Sequence, residues 1–171
     1  DIGEARNDVA VQVSGRFAEG MSRLYLGDLV PARALLEQDA DPAHFSVDPR
    51  SAHYHAERLG SLGLALAFLG YIEQARSRMG EALLLARRIR NASTLASVLV
   101  LANALDHNTG SPLIHAEELL ALSAEQQFPQ RLGWALAYRG LVLAALGQPQ
   151  EAFTLLTQAL KQLHAIGNVN G

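Results

Sequence analysis

Apolar side chains recur along this sequence at steps of three and four residues, and short polar turns interrupt them. In the first such segment, Ile2 to Leu26, the apolar residues fall on one side of a helix. They are Val9, Val13, Phe17, Met21, Leu24 and Tyr25. No segment alternates apolar and polar residues with the period of two that a half-buried strand requires. The pattern therefore predicts an all-α protein.

Glycine, proline and capping residues divide this pattern into eight predicted helices. Phe128-Pro129 ends the sixth helix, because the residue before a proline disfavours helical backbone. Ser51 and Ser111 are predicted to cap the third and sixth helices. Because short turns join successive helices, we expect four antiparallel pairs. These helical hairpins cover residues of about 2–40, 51–91, 92–128 and 130–167.

The first two hairpins are separated by the segment DADPAHFSVDPR, residues 39–50. It contains two prolines, so a loop is predicted. Asp39, Asp41 and Asp48 resemble calcium ligands in composition only, because the regular alternation and the terminal glutamate of a calcium loop are absent. No calcium site is therefore predicted.

The same arrangement of small residues recurs in the hairpins. Gly27, Gly70, Gly110 and Gly147 follow one another at intervals of 43, 40 and 37 residues, and each is predicted to lie in the turn of its hairpin. Small residues seven positions before and five positions after the turn would let the two helices approach closely. Seven residues before the turn stand Gly20, Gly63, Asn103 and Gly140. Five residues after it stand Ala32, Ala75, His115 and Ala152.

This arrangement of small residues resembles the tetratricopeptide repeat (TPR). That repeat has a small residue in its first helix, a glycine at the end of that helix and an alanine early in its second helix. The resemblance covers nearly the whole chain and implies a right-handed α-α superhelix. The segments Leu64 to Gly80 and Trp134 to Ala152 look like the C-terminal repeats of large bacterial signalling proteins, in which a cyclase or DNA-binding domain is fused to a STAND-type ATPase. The third copy departs from the pattern at Asn103 and His115.

Length and charge narrow the possible functions. The 171 residues suit one domain, and a hydrophobic content of 49% is sufficient for a substantial core. A net charge of −3 disfavours direct binding to nucleic acid or to an anionic membrane surface. The chain has no cysteine and therefore gives no information about its redox compartment. No signal peptide or membrane span is predicted, and a cytoplasmic location is the default expectation. Because it starts at Asp1 and runs directly into a predicted helix, we expect a fragment of a longer protein.

Catalytic and metal-binding signals are weak. Lys161 is the only lysine, and no glycine-rich phosphate loop precedes it. His53 and His55 cannot chelate one metal ion, because two-residue spacing points their rings to different sides of a helix. We expect two partly exposed histidines there, and a polar turn around His107 and His115. The sequence therefore predicts no enzyme activity and no cofactor.

The densest basic cluster lies on the predicted fourth helix. It comprises Arg76, Arg78, Arg87, Arg88 and Arg90. Because Glu73 and Glu81 interleave with it, a solvated face is expected, and docking of an acidic partner is the alternative.

In a TPR-like array the first helix of each hairpin lines a concave groove. Placing the turn glycines in one register selects inward positions that include Leu24, His107 and Ala137. The nine groove candidates are eight further positions of this register together with Tyr138, a possible polar anchor. They are Phe17, Met21, Tyr25, Leu64, Phe68, Asn108, Trp134, Tyr138 and Leu141. A largely apolar groove suits an extended peptide or an amphipathic helix, and Arg139 could add a polar anchor.

Three expectations follow about partners. The first is a non-enzymatic scaffold that binds a protein, a peptide or a neighbouring domain of the same chain and so regulates a signalling output. The alternative is a small-molecule sensor with an apolar pocket inside the helical curl, unless the groove residues pack between repeats and fill it. A homodimer is also predicted, because a helical array exposes an apolar end face.

Overall fold

The computed structural model describes residues 9–38 and 49–167, and these residues are predominantly α-helical. They form eight α-helices and contain no β-strand, which confirms the predicted class. The helices are α1 (Val9–Tyr25), α2 (Leu29–Glu37), α3 (Pro49–Phe68), α4 (Ile72–Ile89), α5 (Ala92–Asn108), α6 (Ala116–Glu125), α7 (Pro129–Ala145) and α8 (Pro149–Ala165).

Two predicted helix starts are wrong. Helix α3 begins at Pro49, so Ser51 lies inside the helix and the predicted loop is shorter at its end. Helix α6 begins at Ala116, and Ser111 is followed by four further residues outside any helix. In neither case does the serine stand directly before the helix that it was predicted to cap. A cap of the predicted kind does occur before α5, where Asn91 Oδ1 accepts a hydrogen bond of 2.9 Å from the backbone N–H of Thr94.

The chain divides into two compact units, Asp1–Thr94 and Leu95–Gly171. In the first unit α1 packs against α2 and α3, and α3 packs against α2 and α4. In the second unit α7 packs against both α6 and α8. Contact between consecutive helices is the arrangement that a chain of hairpins produces. Whether the whole chain is one domain remains a prediction.

All four predicted turns have the same backbone geometry. Gly147 takes a positive φ of 75°, and its N–H donates to the carbonyl oxygen of Ala144 while that of Gln148 donates to Leu143. This pair of bonds is the Schellman motif, which satisfies the last carbonyl groups of a helix. The same bonds and a positive φ occur at Gly27, Gly70 and Gly110. A Cβ at Gly147 would meet no atom within 4 Å, so the backbone angle alone accounts for glycine there.

The small residues seven positions before the turn lie at the contact between the two helices of a hairpin. A Cβ added to Gly140 would lie 2.9 Å from Leu156 Cγ and 3.3 Å from the carbonyl oxygen of Ala152. A Cβ added to Gly63 would lie 3.0 Å from the carbonyl oxygen of Ala75. These separations leave no room for a larger side chain, so the glycines set how closely the helices approach.

The third hairpin follows this geometry with one extra residue. The buried alanine after its turn is Ala116, six residues beyond Gly110, whereas Ala75 and Ala152 stand five residues beyond their glycines. His115, predicted at that position, instead precedes α6 and is half-buried. Asn103, at the place of Gly63 and Gly140, is fully buried. The third hairpin therefore accommodates a polar side chain where the other hairpins have only hydrogen.

Candidate functional site

The nine groove candidates differ widely in exposure. Leu64 and Tyr138 are buried. Phe17, Met21 and Leu141 are half-buried, and Asn108 is exposed. Three aromatic residues are largely accessible, with exposed fractions of 76% for Tyr25, 45% for Phe68 and 40% for Trp134. All three lie on the first helix of their hairpins.

In the first unit, aromatic side chains also contact residues that sequence reasoning did not select. The Phe17 ring on α1 meets the Tyr54 ring on α3 edge to face, with centroids 6.1 Å apart. The Arg33 guanidinium on α2 lies 4.9 Å from the centroid of the Tyr71 ring. Phe17 thus helps to join two hairpins, as the alternative of packing between repeats predicts for that residue.

In the second unit, one face of α7 carries an apolar stripe in which Trp134 and Ala145 are exposed, Leu141 is half-buried and Tyr138 is buried. Trp134, Tyr138, Leu141 and Ala145 follow one another at helical spacing, and the Trp134 and Tyr138 rings stack with centroids 6.4 Å apart. The opposite face of α7 is buried and includes Gly133 and Gly140, which contact α8. One face of α7 therefore packs against α8, and the other leaves Trp134 and Ala145 exposed. We refer to these four residues as the α7 stripe.

Polar contacts fix α7 against its neighbours on either side of this stripe. Arg131 Nη2 donates a hydrogen bond of 2.6 Å to Ser97 Oγ on α5. Arg139 Nε lies 2.8 Å from Glu117 Oε1 on α6. Because this ion pair is partly exposed, it contributes little to the stability of the fold, and its main effect is on the orientation of α7. Arg139, predicted as an anchor for a partner, is thus engaged within the chain.

The α7 stripe ends in an open cleft of about 490 Å³ beside the third turn. We name it the third-turn cleft. Its walls are His107, Gly110, Ser111, Pro112, Leu113, Ile114, Leu141, Val142, Ala145 and Leu146. Leu141 and His107 were selected from the sequence and lie in the wall, whereas the predicted Asn108 does not. The Asn108 side chain donates a hydrogen bond of 2.7 Å to the Ala104 carbonyl of its own helix.

The first unit contains a buried histidine that the sequence did not predict to be buried. His55 is 7% exposed and Arg58 is 2% exposed, and Arg58 Nη2 lies 2.9 Å from His55 Nδ1. Arginine can only donate, so Nδ1 accepts and the neutral ring carries its proton on Nε2. Burial, reinforced by the positive charge of Arg58, lowers the pKa of His55 to about 4, against a small opposing effect of Glu81. The expectation of a partly exposed His55 is wrong.

Two arginines of the predicted basic cluster on α4 form ion pairs at the surface. The arginines of α4 are on or near the surface, where Arg78 Nη1 lies 2.9 Å from Glu81 Oε2 and Arg76 Nη1 lies 3.4 Å from Glu73 Oε1. Within residues 9–38 and 49–167 there is no group of three histidine, aspartate or glutamate side chains placed to hold a metal ion. The three aspartates Asp39, Asp41 and Asp48 lie outside the described residues.

The walls of the third-turn cleft were largely missed by sequence reasoning. The sequence placed Leu113 and Ile114 in a helix, where apolar residues are ordinarily buried, but the structure places them before α6 begins. A signal was available in the spacing, because Ala116 stands one residue further from its turn glycine than its counterparts do. Correct placement of that alanine would have left Ser111 to His115 as a loop.

Comparison of the chain with models of known protein families and with curated protein sequences gave no match. Across the part of the chain that the structure describes, no helix is both long and apolar enough to cross a membrane.

Proposed function

We propose that this chain is a TPR-like helical-repeat module that binds a protein partner, or a neighbouring domain of its own chain, without catalysing a reaction. The observation that carries this proposal is the exposure of large aromatic side chains on the first helices of the hairpins. Tyr25, Phe68 and Trp134 are each at least 40% exposed. Tyrosine and tryptophan are common among the residues that dominate binding energy in protein interfaces.

We infer a right-handed superhelix from the resemblance to the TPR, and a contact that recurs within the hairpins favours it. In three hairpins a glycine on the first helix meets the residue sixteen positions later on the second helix: Leu36 for Gly20, Met79 for Gly63 and Leu156 for Gly140. Repetition of the same contact implies repetition of the same helix crossing, and stacking such hairpins produces a superhelix. In a superhelix of this type the first helices face the partner.

The matched control for this proposal is an aromatic residue on a second helix. Phe153 on α8 is 73% exposed, more than Trp134. If exposure alone determined binding, Phe153 would be the more important residue. If the first helices form the binding surface, Trp134 and Phe68 will matter and Phe153 will not.

The test begins with photo-crosslinking of the chain in an extract of its own source cells, with a crosslinking amino acid at position 134 or 153. Proteins captured from position 134 alone are purified, and their affinities are measured for wild type, Trp134→Ala, Phe68→Ala and Phe153→Ala. We expect at least a tenfold loss for Trp134→Ala or Phe68→Ala, because hot-spot truncations cost about 2 kcal/mol or more. Equal affinity of all four folded proteins, or loss with Phe153→Ala alone, would refute the proposal.

A further inference from the structure

We propose that the third-turn cleft binds a small neutral amphiphile, a molecule with a hydrocarbon body and one uncharged hydrogen-bonding head. This site adjoins the α7 stripe through Leu141 and Ala145, but its walls do not include Tyr25, Phe68 or Trp134, the aromatic residues of the proposed partner surface. The cleft volume of about 490 Å³ lies within the range of small-molecule sites.

The hydrocarbon body is inferred from the walls of the cleft. Leu113 and Ile114 on the loop face the same space as Leu141 and Leu146 on the α7 side. Ile114 and Leu146 are 73% and 67% exposed, although both are large aliphatic side chains. A hydrocarbon between the two walls would remove apolar surface from water on both sides, which is favourable in proportion to the area covered.

The position of the head is inferred from the polar side chains. Among the ten wall residues only His107 and Ser111 have polar side chains, and both belong to the segment around the turn. The Ser111 hydroxyl lies 2.9 Å from Thr109 Oγ1. A serine hydroxyl combines one donor with two acceptor sites, which is the chemistry that an uncharged hydroxyl or carbonyl head matches. The His107 ring is exposed and offers a further nitrogen.

The absence of charge on the head is inferred from what the walls lack. None of the ten wall residues is an arginine, lysine, aspartate or glutamate. The ion pair on the neighbouring surface, Arg139 with Glu117, is already closed at 2.8 Å. A charged head would lose hydration in the cleft without gaining an opposite charge, whereas a hydroxyl or carbonyl would only exchange hydrogen bonds.

The same walls disfavour an extended peptide as the occupant. Each residue of a peptide brings a backbone donor and an acceptor, and these groups must be satisfied when water is removed. Two polar side chains at one end of an apolar cleft satisfy one polar head. They do not satisfy a row of amide groups.

The experiment is a titration of the complete 171-residue chain, labelled on its leucine, isoleucine and valine methyl groups, followed by NMR. The three probes are 1-octanol, octanoate and octylammonium, which share a hydrocarbon body and differ in the charge of the head. We expect saturable shifts with 1-octanol at Leu113, Ile114, Leu141, Val142 and Leu146. The surface residues Val30 and Leu160, which are 68% and 60% exposed, report non-specific contact and should not shift.

Two pairs of variants separate the cleft from the general surface. Ala145 lines the cleft and Ala144 does not, and both are exposed in the last turn of α7, so Ala145→Phe fills the site while Ala144→Phe is its control. In the second pair, His107→Ala removes a polar wall group and Asn108→Ala removes its exposed neighbour outside the cleft.

We expect Ala145→Phe to weaken 1-octanol binding at least tenfold and His107→Ala to weaken it about threefold, with the two controls near wild type. The charged probes should bind at least tenfold more weakly than 1-octanol. The proposal is overturned if octanoate or octylammonium binds as well as 1-octanol, or if Val30 and Leu160 shift together with the cleft. It is also overturned if the filled cleft still binds.

Discussion

The third and fourth hairpins perform the same structural task with different residues. In the fourth hairpin, Gly140 lies against Leu156, and Ala152 and Ala159 are buried on the second helix. In the third, the corresponding buried residues are Asn103, Ala116 and Ser123, and a five-residue loop precedes the second helix. At these positions the fourth hairpin has only small and apolar side chains. The third hairpin has two polar side chains at these positions and an open cleft beside its turn.

Polar groups in the third hairpin are incompletely satisfied. Asn103 Nδ2 donates 2.9 Å to the Leu99 carbonyl, but within the described residues Asn103 Oδ1 and Ser123 Oγ have no hydrogen-bond partner. Other helical hydroxyls, such as those of Ser61 and Thr157, donate to the carbonyl four residues earlier. Among the described residues, these two buried polar atoms lie in the hairpin that carries the third-turn cleft. Substitutions that exchange features between the hairpins test this comparison.

The largest effect is expected when the asparagine of the third hairpin is placed in the fourth. Gly140→Asn should lower the free energy of unfolding by about 3 kcal/mol, because even a Cβ would lie 2.9 Å from Leu156 and the amide would be buried. Urea unfolding followed by circular dichroism measures the change. The control is Gly80→Asn on α4, where a Cβ meets no atom within 4 Å. Similar stabilities of the two variants would show that close packing does not explain Gly140.

The second largest effect is expected in the second hairpin, where the buried His55 and Arg58 share a hydrogen bond. Protonation of His55 removes this bond and should weaken the hairpin. The pKa of His55 is about 4 when folded and about 6.5 when unfolded, so the unfolded chain binds the extra proton between these values. The stability from the neutral ring is present above pH 6.5 and is lost as the pH falls towards 4. We expect the free energy of unfolding to fall by about 2 kcal/mol between pH 7 and pH 5 through this group.

Urea unfolding at several pH values, compared between wild type and His55→Gln, isolates the contribution of His55 from that of the carboxylates. His53→Gln is the matched control, since His53 is two residues away and half-buried. An identical pH dependence in wild type and His55→Gln would mean that His55 does not remain neutral in the folded chain.

A smaller gain is expected from giving the third hairpin the alanine of the fourth. Ser123→Ala should raise the free energy of unfolding by about 1 kcal/mol, because it removes a buried hydroxyl that has no partner among the described residues. The reciprocal Ala159→Ser should lower it by a similar amount, and thermal unfolding measures both. A loss of stability in Ser123→Ala would indicate that the hydroxyl is bonded in solution.

The smallest effect concerns the ends of α6 and α7. Gln127 takes a positive φ of 54° and closes the same pair of hydrogen bonds after α6 that Gly147 closes after α7. Gln127→Gly should stabilise the chain by about 0.5 kcal/mol, and Gly147→Gln should destabilise it by about 1 kcal/mol. Chemical denaturation of both variants measures the change in the free energy of unfolding. If both are neutral, the left-handed backbone costs these residues nothing.

The sequence by itself determined the features that depend on neighbours along the chain. Helical periodicity predicted eight helices, and the spacing of Gly27, Gly70, Gly110 and Gly147 placed all four turns. A turn of this kind is formed by five or six consecutive residues, so its glycine can be predicted from the local sequence. The close contact of Gly140 was likewise predictable, because its partner lies sixteen residues away on the same hairpin.

Only the tertiary structure decided which polar groups are buried and where the surface is open. The burial of His55 against Arg58 and of Asn103 depends on helices packed around them, and no local pattern distinguishes such residues from exposed ones. The third-turn cleft depends on one extra residue that delays α6 until Ala116 and leaves Leu113 and Ile114 outside it. Side-chain burial and clefts arise from surfaces brought together in three dimensions, whereas helix and turn preferences act within a few residues.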